Sequence, residues 1–304
     1  MVIGGGAREH VIASVLLGDP EVESVVVAPG NAGIASLVHC VPIDVTDAQA
    51  IGELATELDV DLVVVGPEVP LMAGAADALI ARGIPCFGPT REAALIEGSK
   101  AFCKEMMAEA GIPTAMALVC VNTSEAEIAL GAFGAPYVVK DDGLAAGKGV
   151  VVTSDRSEAL EHAQSCFAAG GTVVIEEFLD GPEVSLFGIS DGTTVIPLQP
   201  AQDFKRVGEG DEGPNTGGMG AYSPLPWLEE SVVGEVTERV LQPMLDALKR
   251  RGTPFVGVLY AGLAMTRRGI RVIEFNARFG DPETQVVLSR LATPLGGLLL
   301  AAAT

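Results

Sequence analysis

Asp61-Leu62-Val63-Val64-Val65-Gly66-Pro67-Glu68-Val69-Pro70-Leu71 (61–71) opens with an apolar run and stops on a Gly-Pro turn. A short run with no polar alternation is the pattern of a strand covered on both faces, as in a parallel sheet. Working outward, similar stubs stand at Met1–Ile3, Ser24–Ala28 and Ile84–Gly88. Helical patterns separate them at Asp47–Leu58, which begins TD like an N-cap, and at Met72–Arg82. Strands alternating with helices predict a parallel α/β sheet, with ligands gathered at the carboxyl ends of its strands. Those ends carry GGGAREH (4–10), APGNAG (28–33), GPEVPL (66–71) and GPT (88–90), which are expected to form one binding surface.

From there the pattern changes. Arg91–Gly111 reads as one helix leaving this unit. Strands at Val119–Val121, Tyr137–Lys140, Val150–Thr153 and Val173–Glu177, with a helix at Ser157–Ala169, predict a small α+β unit. The last third has strands at Val184–Ser190, Thr194–Gln199, Gly257–Thr266 and Arg271–Asn276 and a long helix at Glu229–Arg251. At about 150 residues per domain, 304 residues suggest two domains, divided as 1–97 and 98–304 with a lid at about 112–178. The chain closes on LGGLLLAAAT (295–304), apolar and with no cap and no charge, and opens on a three-residue strand stub. Both features predict a fragment of a longer protein.

Nineteen cations against 40 acids leave a net charge of −21, which argues against nucleic-acid and anionic-membrane partners. Only six cations are lysines, so a lysine in a glycine-rich setting stands out. Five isolated cysteines, none spaced CxxC, and three scattered histidines give no zinc or redox signature. With no apolar run of about 20 residues, a cytoplasmic location is expected.

Gly4-Gly5-Gly6 invites a dinucleotide reading, which fails because the third glycine of GxGxxG falls on Glu9 and the second strand ends in Ala28-Pro29-Gly30. A backbone seat for a small phosphate, or a plain tight turn, remains. Residues 138–150 (VVKDDGLAAGKGV) lack Walker spacing but form a glycine hairpin with Lys140 at its base and Lys148 at its tip, suited to folding over a triphosphate. Glu176-Glu177-Phe178-Leu179, followed by Glu183, reads as a hinge for an adenine edge and a ribose diol, or as a solvated strand end. Glu274 and Asn276, two apart on a strand, present two hard oxygens suited to Mg²⁺, or a structural pair with Arg278. Residues 213–221 (GPNTGGMGA) are too glycine-dense for regular structure and are expected to be a mobile loop. Gln202-Asp203-Phe204-Lys205-Arg206 packs opposite charges, suited to an amino-acid zwitterion or a surface ion pair.

These motifs, in this order, with EGSKAF (97–102), LYAGL (259–263) and EFNARFGDPETQ (274–285), resemble the phosphoribosylamine–glycine ligase (glycinamide ribonucleotide synthetase) family of the ATP-grasp superfamily. The resemblance implies a Rossmann-like parallel-sheet domain followed by an ATP-grasp α+β domain with a lid. It implies ATP, Mg²⁺ or Mn²⁺, glycine and phosphoribosylamine as ligands, and ligation through glycyl phosphate. By motif, Lys104, Lys140 and Lys148 are expected at the ATP phosphates, Glu176, Glu177, Phe178 and Leu179 at the adenine, and Glu183 at the ribose. Glu274 and Asn276 are expected at the metal, and Gly6, Asn31 and Glu68 at phosphoribosylamine. Asp203, Arg278 and Asp281 are expected at glycine, with Arg278, Lys140 and Asp203 nearest the chemistry. The chain departs from the family at Asp141, expected to weaken phosphate contact beside Lys140, and at Phe204, where a histidine is usual. The family continues for about one more domain after Thr304, and a separate C-terminal domain is therefore a candidate partner. Open alternatives are an ATP-grasp ligase with another acceptor and a truncated fragment that binds nucleotide without turnover.

Overall fold

The apolar runs of the first hundred residues pair into one parallel sheet. Its strands are β1 (Val2–Gly4), β2 (Val26–Pro29), β3 (His39–Cys40), β4 (Val63–Val65) and β5 (Cys86–Phe87), ordered β3-β2-β1-β4-β5. The computed structural model describes every residue except 145–148 and 211, with backbone alone at Pro214 and Asn215. β3 carries only two residues at the sheet edge, too few for a sequence signal. The strand order reverses at β1, so the crevice beyond the ends of β1 and β4 is a topological switch point. Asp47 caps the helix Ala48–Glu57 by accepting from the Ala50 amide at 3.0 Å, as TD foretold. The expected helix at Met72–Arg82 is instead Glu68–Ala73 and Ala75–Ile80, broken at Gly74, whose φ of +91° suits a residue without a Cβ. Arg91–Gly111 is likewise interrupted. Leu95–Gly98 ends at extended Ser99, whose hydroxyl then accepts from the Phe102 amide at 3.1 Å and caps Lys100–Glu109.

A four-stranded antiparallel sheet follows, β6 (Ala117–Cys120), β7 (Tyr137–Asp141), β8 (Val150–Thr153) and β9 (Val173–Glu176), ordered β6-β9-β7-β8. Helices Arg156–Ala168 and Thr123–Phe133, the latter unread in the sequence, cover the face bearing Val139 and Ile175. Strand alternation turns Lys140 and Glu176 to the opposite face.

The central antiparallel sheet and a hairpin complete the chain: β10 (Glu183–Asp191), β11 (Val195–Pro197), β12 (Gln202–Gly208), β13 (Glu212–Tyr222), β14 (Val256–Thr266) and β15 (Gly269–Asn276). β11-β10-β14-β15 form the sheet, and β12 pairs with β13. Residues 213–221 are therefore strand, not loop. An irregular ladder with two register shifts accommodates the glycines, and Gly218 (φ +122°) lies against Pro282. The expected helix 229–251 is Ser231–Val236 and Gln242–Arg250 joined by a π-turn at Thr237–Leu241, just ahead of Pro243, which has no amide to continue the α ladder.

β15 is re-phased by one residue. Leu263 opposes Val272 but Gly262 opposes Glu274, so Ile273 is an extra residue in the ladder. Ile270, Val272 and Phe275 consequently face the core, while Glu274 and Asn276 stay half-buried beside the cleft. The final helix, Leu295–Ala303, buries Leu295, Leu299 and Ala302. It is capped after all: Asp19, 277 positions away, accepts from the Gly296 amide at 2.7 Å. Among the described residues no helix is long and apolar enough to cross a membrane.

Candidate active site

The sheet β6-β9-β7-β8 meets the central sheet around one buried carboxylate. Glu176 at the end of β9 is 3% exposed and pairs with Lys140 Nζ at 3.0 Å and Lys104 Nζ at 3.1 Å. Lys104 also donates to Thr114 Oγ1 (2.9 Å) and the Ala115 carbonyl (3.2 Å). Lys140 reaches across to the Ile273 carbonyl at 3.3 Å, the bulged residue beside Glu274. Burial pulls the Lys104 pKa down, with Lys140 adding to the effect and Glu176 opposing it. The side chain of Glu176 is thus a counter-ion for two lysines. Glu177 is engaged too: its carboxylate accepts from the Met116 amide (3.1 Å) and pairs with Arg268 (3.0 Å). Burial opposes ionisation there, yet these donors hold its pKa low. Phe178 is exposed and Leu179 half-buried at the mouth.

Glu274 gathers cations. Its burial favours the neutral acid, but Lys205, Lys140, Lys100 and Arg278 together keep its pKa below the ordinary value. Four of the chain's six lysines (100, 104, 140 and 205) therefore converge on the cleft, against the strongly acidic whole. Asn276 Oδ1 is turned toward Arg278 Nη2 at 3.4 Å. A carboxylate and an amide oxygen on the same edge fit a hard divalent ion that keeps phosphate and water as its other ligands.

Arg278 ties the two halves of the chain together. Nη2 lies 2.7 Å from Glu97 Oε1 and Nε 3.3 Å from Glu68 Oε2, both residues of the first 97. Glu97 Oε2 also accepts from the Ala277 amide at 2.7 Å. Burial pushes the Glu97 pKa up against the pull of Arg278. At Glu68, less enclosed, burial is the largest influence, but Arg278, a backbone amide and Arg8 together outweigh it and the pKa falls.

The hairpin root is anchored from the opposite side. Asp142 accepts from Ser99 Oγ (3.1 Å) and from the Ala101 amide (3.1 Å), and Lys100 Nζ donates to the Gly143 carbonyl at 2.9 Å. Lys148, expected at the hairpin tip, lies outside the described residues. Asp141 does not crowd Lys140. It points to the helix-covered face, where its Oδ1 would sit 3.4 Å from a Cβ on Gly171 and it acts on the Cys166 thiol.

At the acceptor end, Asp203 lies with 6% of its side chain exposed, 3.8 Å from Lys205 Nζ. Burial, reinforced by Glu283 and Glu183 and opposed by Lys205, pushes its pKa up to about 6. Lys205 Nζ pairs with Glu183 at 3.1 Å. Phe204 alternates to the other face, 44% exposed and stacked on Tyr222 at 6.0 Å, so the departure at 204 leaves the Asp203 face untouched. Glu283, which sequence reasoning missed, is 2% exposed and accepts from Tyr260 OH (2.6 Å) and Ser185 Oγ (3.3 Å). Nothing local in GDPET signals a buried carboxylate; its partners come from β10 and β14.

The switch-point loops are only partly as expected. The Gly6 amide donates to Glu9 Oε2 at 2.6 Å, so that anion seat is filled from within. Glu9, 1% exposed, tucks beneath Gly4 and Gly66, where a Cβ on either would strike it. Asn31 uses both ends of its amide locally, donating to the Gly5 carbonyl (2.8 Å) and accepting from the Ile34 amide (2.9 Å). Asp281 reaches the same loop, accepting from the Arg8 amide at 3.3 Å and from Gln285 at 2.7 Å. All five cysteines are free thiols, and burial drives Cys103, beside Lys104, up to about 12. No thiolate nucleophile is on offer there.

Comparison with known proteins gives the family and the fold. The family model for the phosphoribosylglycinamide synthetase N domain matches residues 1–97, and that for its ATP-grasp (A) domain matches 98–284. The phosphoribosylamine–glycine ligase of Streptomyces coelicolor is 64% identical over the whole chain, which spans 72% of that relative. The Mycobacterium tuberculosis enzyme of the same name is 56% identical, again over the whole chain and 73% of the relative. The crystal structure of the Thermotoga maritima phosphoribosylamine–glycine ligase superposes with a TM-score of 0.84 at 32% identity, covering 99% of this chain and 74% of that one. A Campylobacter jejuni biotin carboxylase shares the fold alone, with a TM-score of 0.74 at 16% identity over 100% of this chain and 70% of that one. An N-terminal parallel sheet followed by an ATP-grasp core places the chain in the phosphoribosylglycinamide synthetase family, to which it belongs.

Proposed function

We propose that this chain joins glycine to 5-phosphoribosylamine at the expense of ATP, giving glycinamide ribonucleotide, ADP and phosphate in purine biosynthesis. It is an ATP-dependent carbon–nitrogen ligase. One observation carries the site reading: Lys140 and Lys104 meet at Glu176, and Lys140 reaches the Ile273 carbonyl next to Glu274 and Asn276. Two buried lysines, suited to phosphate, thus lie beside two oxygen side chains suited to a divalent ion, which supports the reading.

In this reading residues 1–97 hold the ribosylamine and 98–304 hold ATP and glycine. A glycine carboxylate oxygen attacks the γ-phosphorus, the bond to the ADP oxygen breaks, and glycyl phosphate forms. The ribosylamine nitrogen then attacks the acyl carbon, phosphate leaves, and the amide remains after loss of a proton from nitrogen. Lys104 and Lys140 exchange the Glu176 carboxylate for phosphate oxygens and offset the charge on the transferring group. Backbone groups of 177–179 with Phe178 border the adenine, and Glu183 receives the ribose hydroxyls. Glu274 and Asn276 would hold Mg²⁺ or Mn²⁺, which supplies further charge neutralisation when bound. Arg278 and Asp203 orient glycine, and Asp281 with the Gly6 and Asn31 loops borders the ribosylamine. No protein nucleophile is required, so catalysis rests on positioning. The cytoplasm is the compartment we assign.

The test is a coupled ADP-release assay with each substrate omitted in turn. Release that needs glycine and phosphoribosylamine together supports the proposal. Release with another amine, or nucleotide binding without turnover, refutes it.

A further inference from the structure

Four glycines stand in the strands of the central sheet, and three of them have a structural reason. Gly257 (φ +137°) and Gly269 (φ +91°) adopt backbone that favours glycine, and a Cβ on Gly188 would strike Val195. Gly262 has no such reason. Its φ lies outside the left-handed region, and a Cβ there would meet only Glu274, at 3.4 Å from Cγ and 3.6 Å from the carbonyl oxygen, which is ordinary contact. β14 is paired on both sides, by β10 and β15, and a glycine inside such a strand weakens it without packing against anything.

The ladder register shows what the missing side chain leaves open. Gly262 opposes Ser185 on one side and Glu274 on the other, so the three share one face. Ala261 and Leu263 turn to the core, whereas Gly262 keeps part of its surface exposed. In the next row, formed by Phe187, Tyr260 and Asn276, two rings cover the sheet. Ser185 Oγ is held toward Tyr260 OH (2.8 Å) and Glu283 Oε1 (3.3 Å). The gap over Gly262 therefore lies between Glu274, proposed for the metal, and the acceptor end marked by Ser185 and Glu283.

We propose that Gly262 lacks a side chain so that the transferring phosphoryl group can lie against the sheet between Glu274 and Ser185. The inference rests on the proposed function, in which the phosphoryl group leaves the ADP oxygen, which keeps the bond pair, and joins a glycine carboxylate oxygen. Its path runs from the metal residues to the acceptor end, and Gly262 is the strand position that spans them. A phosphoryl group with three outer oxygens needs that width, whereas glycine, the smallest amino acid, does not. Where catalysis rests on positioning, a methyl group in that path displaces the reacting atoms.

The experiment compares the full chain with Gly262→Ala and Gly262→Val, reading Tm and the calorimetric Kd for ADP and for β,γ-methylene-ATP, each with Mg²⁺. Gly262→Ala melts level with wild type or about 1 °C above it, because glycine is the less stable choice inside a strand. Its Kd for β,γ-methylene-ATP rises about tenfold, as for an added methyl in a filled site, while that for ADP, which has no γ-phosphate, moves by less than about twofold. Gly262→Val weakens the analogue further and again spares ADP. If Gly262→Val does not fold, Gly262→Ala decides. Equal weakening of both nucleotides, no weakening of β,γ-methylene-ATP, or a Tm lowered by several degrees in Gly262→Ala overturns the inference. A rise confined to the glycine Kd overturns it as well, since the amino acid then occupies the gap. Failure of the wild type to bind nucleotide at all overturns the proposed function instead.

Discussion

Glu176→Gln keeps the shape of the side chain and removes the anion that Lys104 and Lys140 share. Breaking a buried ion pair by deleting one partner costs about 3–5 kcal/mol. Some of that is recovered here, because Lys104 keeps Thr114 and the Ala115 carbonyl and Lys140 keeps the Ile273 carbonyl. A loss of roughly 2–4 kcal/mol is expected, or roughly 3–6 °C in Tm for a chain of this size. The deficit has a sign in pH. The Lys104 pKa already lies below its ordinary 10.5, so the unfolded chain binds more protons across that window and stability rises with pH through it. Removing Glu176 widens the window, so the gap between variant and wild type narrows as pH climbs from neutral toward 10. Phosphate also becomes the missing counter-ion. In wild type a nucleotide must displace Glu176 from the lysines, whereas in the variant it fills a void of charge. Differential scanning calorimetry with and without ADP should therefore show a larger nucleotide-induced rise in Tm for Glu176→Gln. A variant that melts within about 1 °C of wild type, or an ADP shift equal in both, refutes the reasoning.

Glu274→Gln should abolish turnover and flatten its dependence on Mg²⁺ while near-ultraviolet circular dichroism stays native; an unchanged Mg²⁺ titration refutes the metal assignment. Asp203 has a folded pKa of about 6 against 3.8, so its contribution to stability is complete below pH 4 and is lost as pH rises from 4 to 6. Asp203→Asn should lack that slope, worth up to about 3 kcal/mol, in denaturant titrations across the window; the same slope in both proteins counts against a buried acid. Arg278→Met takes from Glu97 and Glu68 the guanidinium they share, leaving only the weaker pull of Arg8, and should cost about 3–5 kcal/mol in urea unfolding, with Arg278→Lys intermediate because it loses the planar fork. Equal stability of all three proteins would show that the guanidinium is not what joins the halves.

Much of this architecture can be seen in the letters of the chain, because apolar runs without alternation and Gly-Pro stops are local signals. Asp47 as a cap is another, since the residues it serves follow within three positions. What escaped was set by distant partners. Glycines at 213–221 argue against a strand until β12 supplies a ladder for them. Simple alternation would carry Glu274 and Asn276 into the core with Ile270 and Val272. The extra residue Ile273 sends them to the cleft instead, and no propensity marks it. The motif assigns Glu176 to the adenine and says nothing of the two lysines it pairs with. Its pairing with Lys104 depends on a helix some seventy residues upstream. The cap on Leu295–Ala303 and the Glu97–Arg278 pair are invisible for the same reason, spanning most of the chain.

The Arg278 tie has an outcome for recombination among relatives. Exchanging residues 1–97 for those of a homologue carries off Glu68 and Glu97 together, the two acids that receive the guanidinium. A chimera would inherit whatever the donor holds at those two places, opposite a cation it did not evolve with. These three side chains therefore bear on compatibility between halves, and a graft that moves all three as a set should outlive one that splits them.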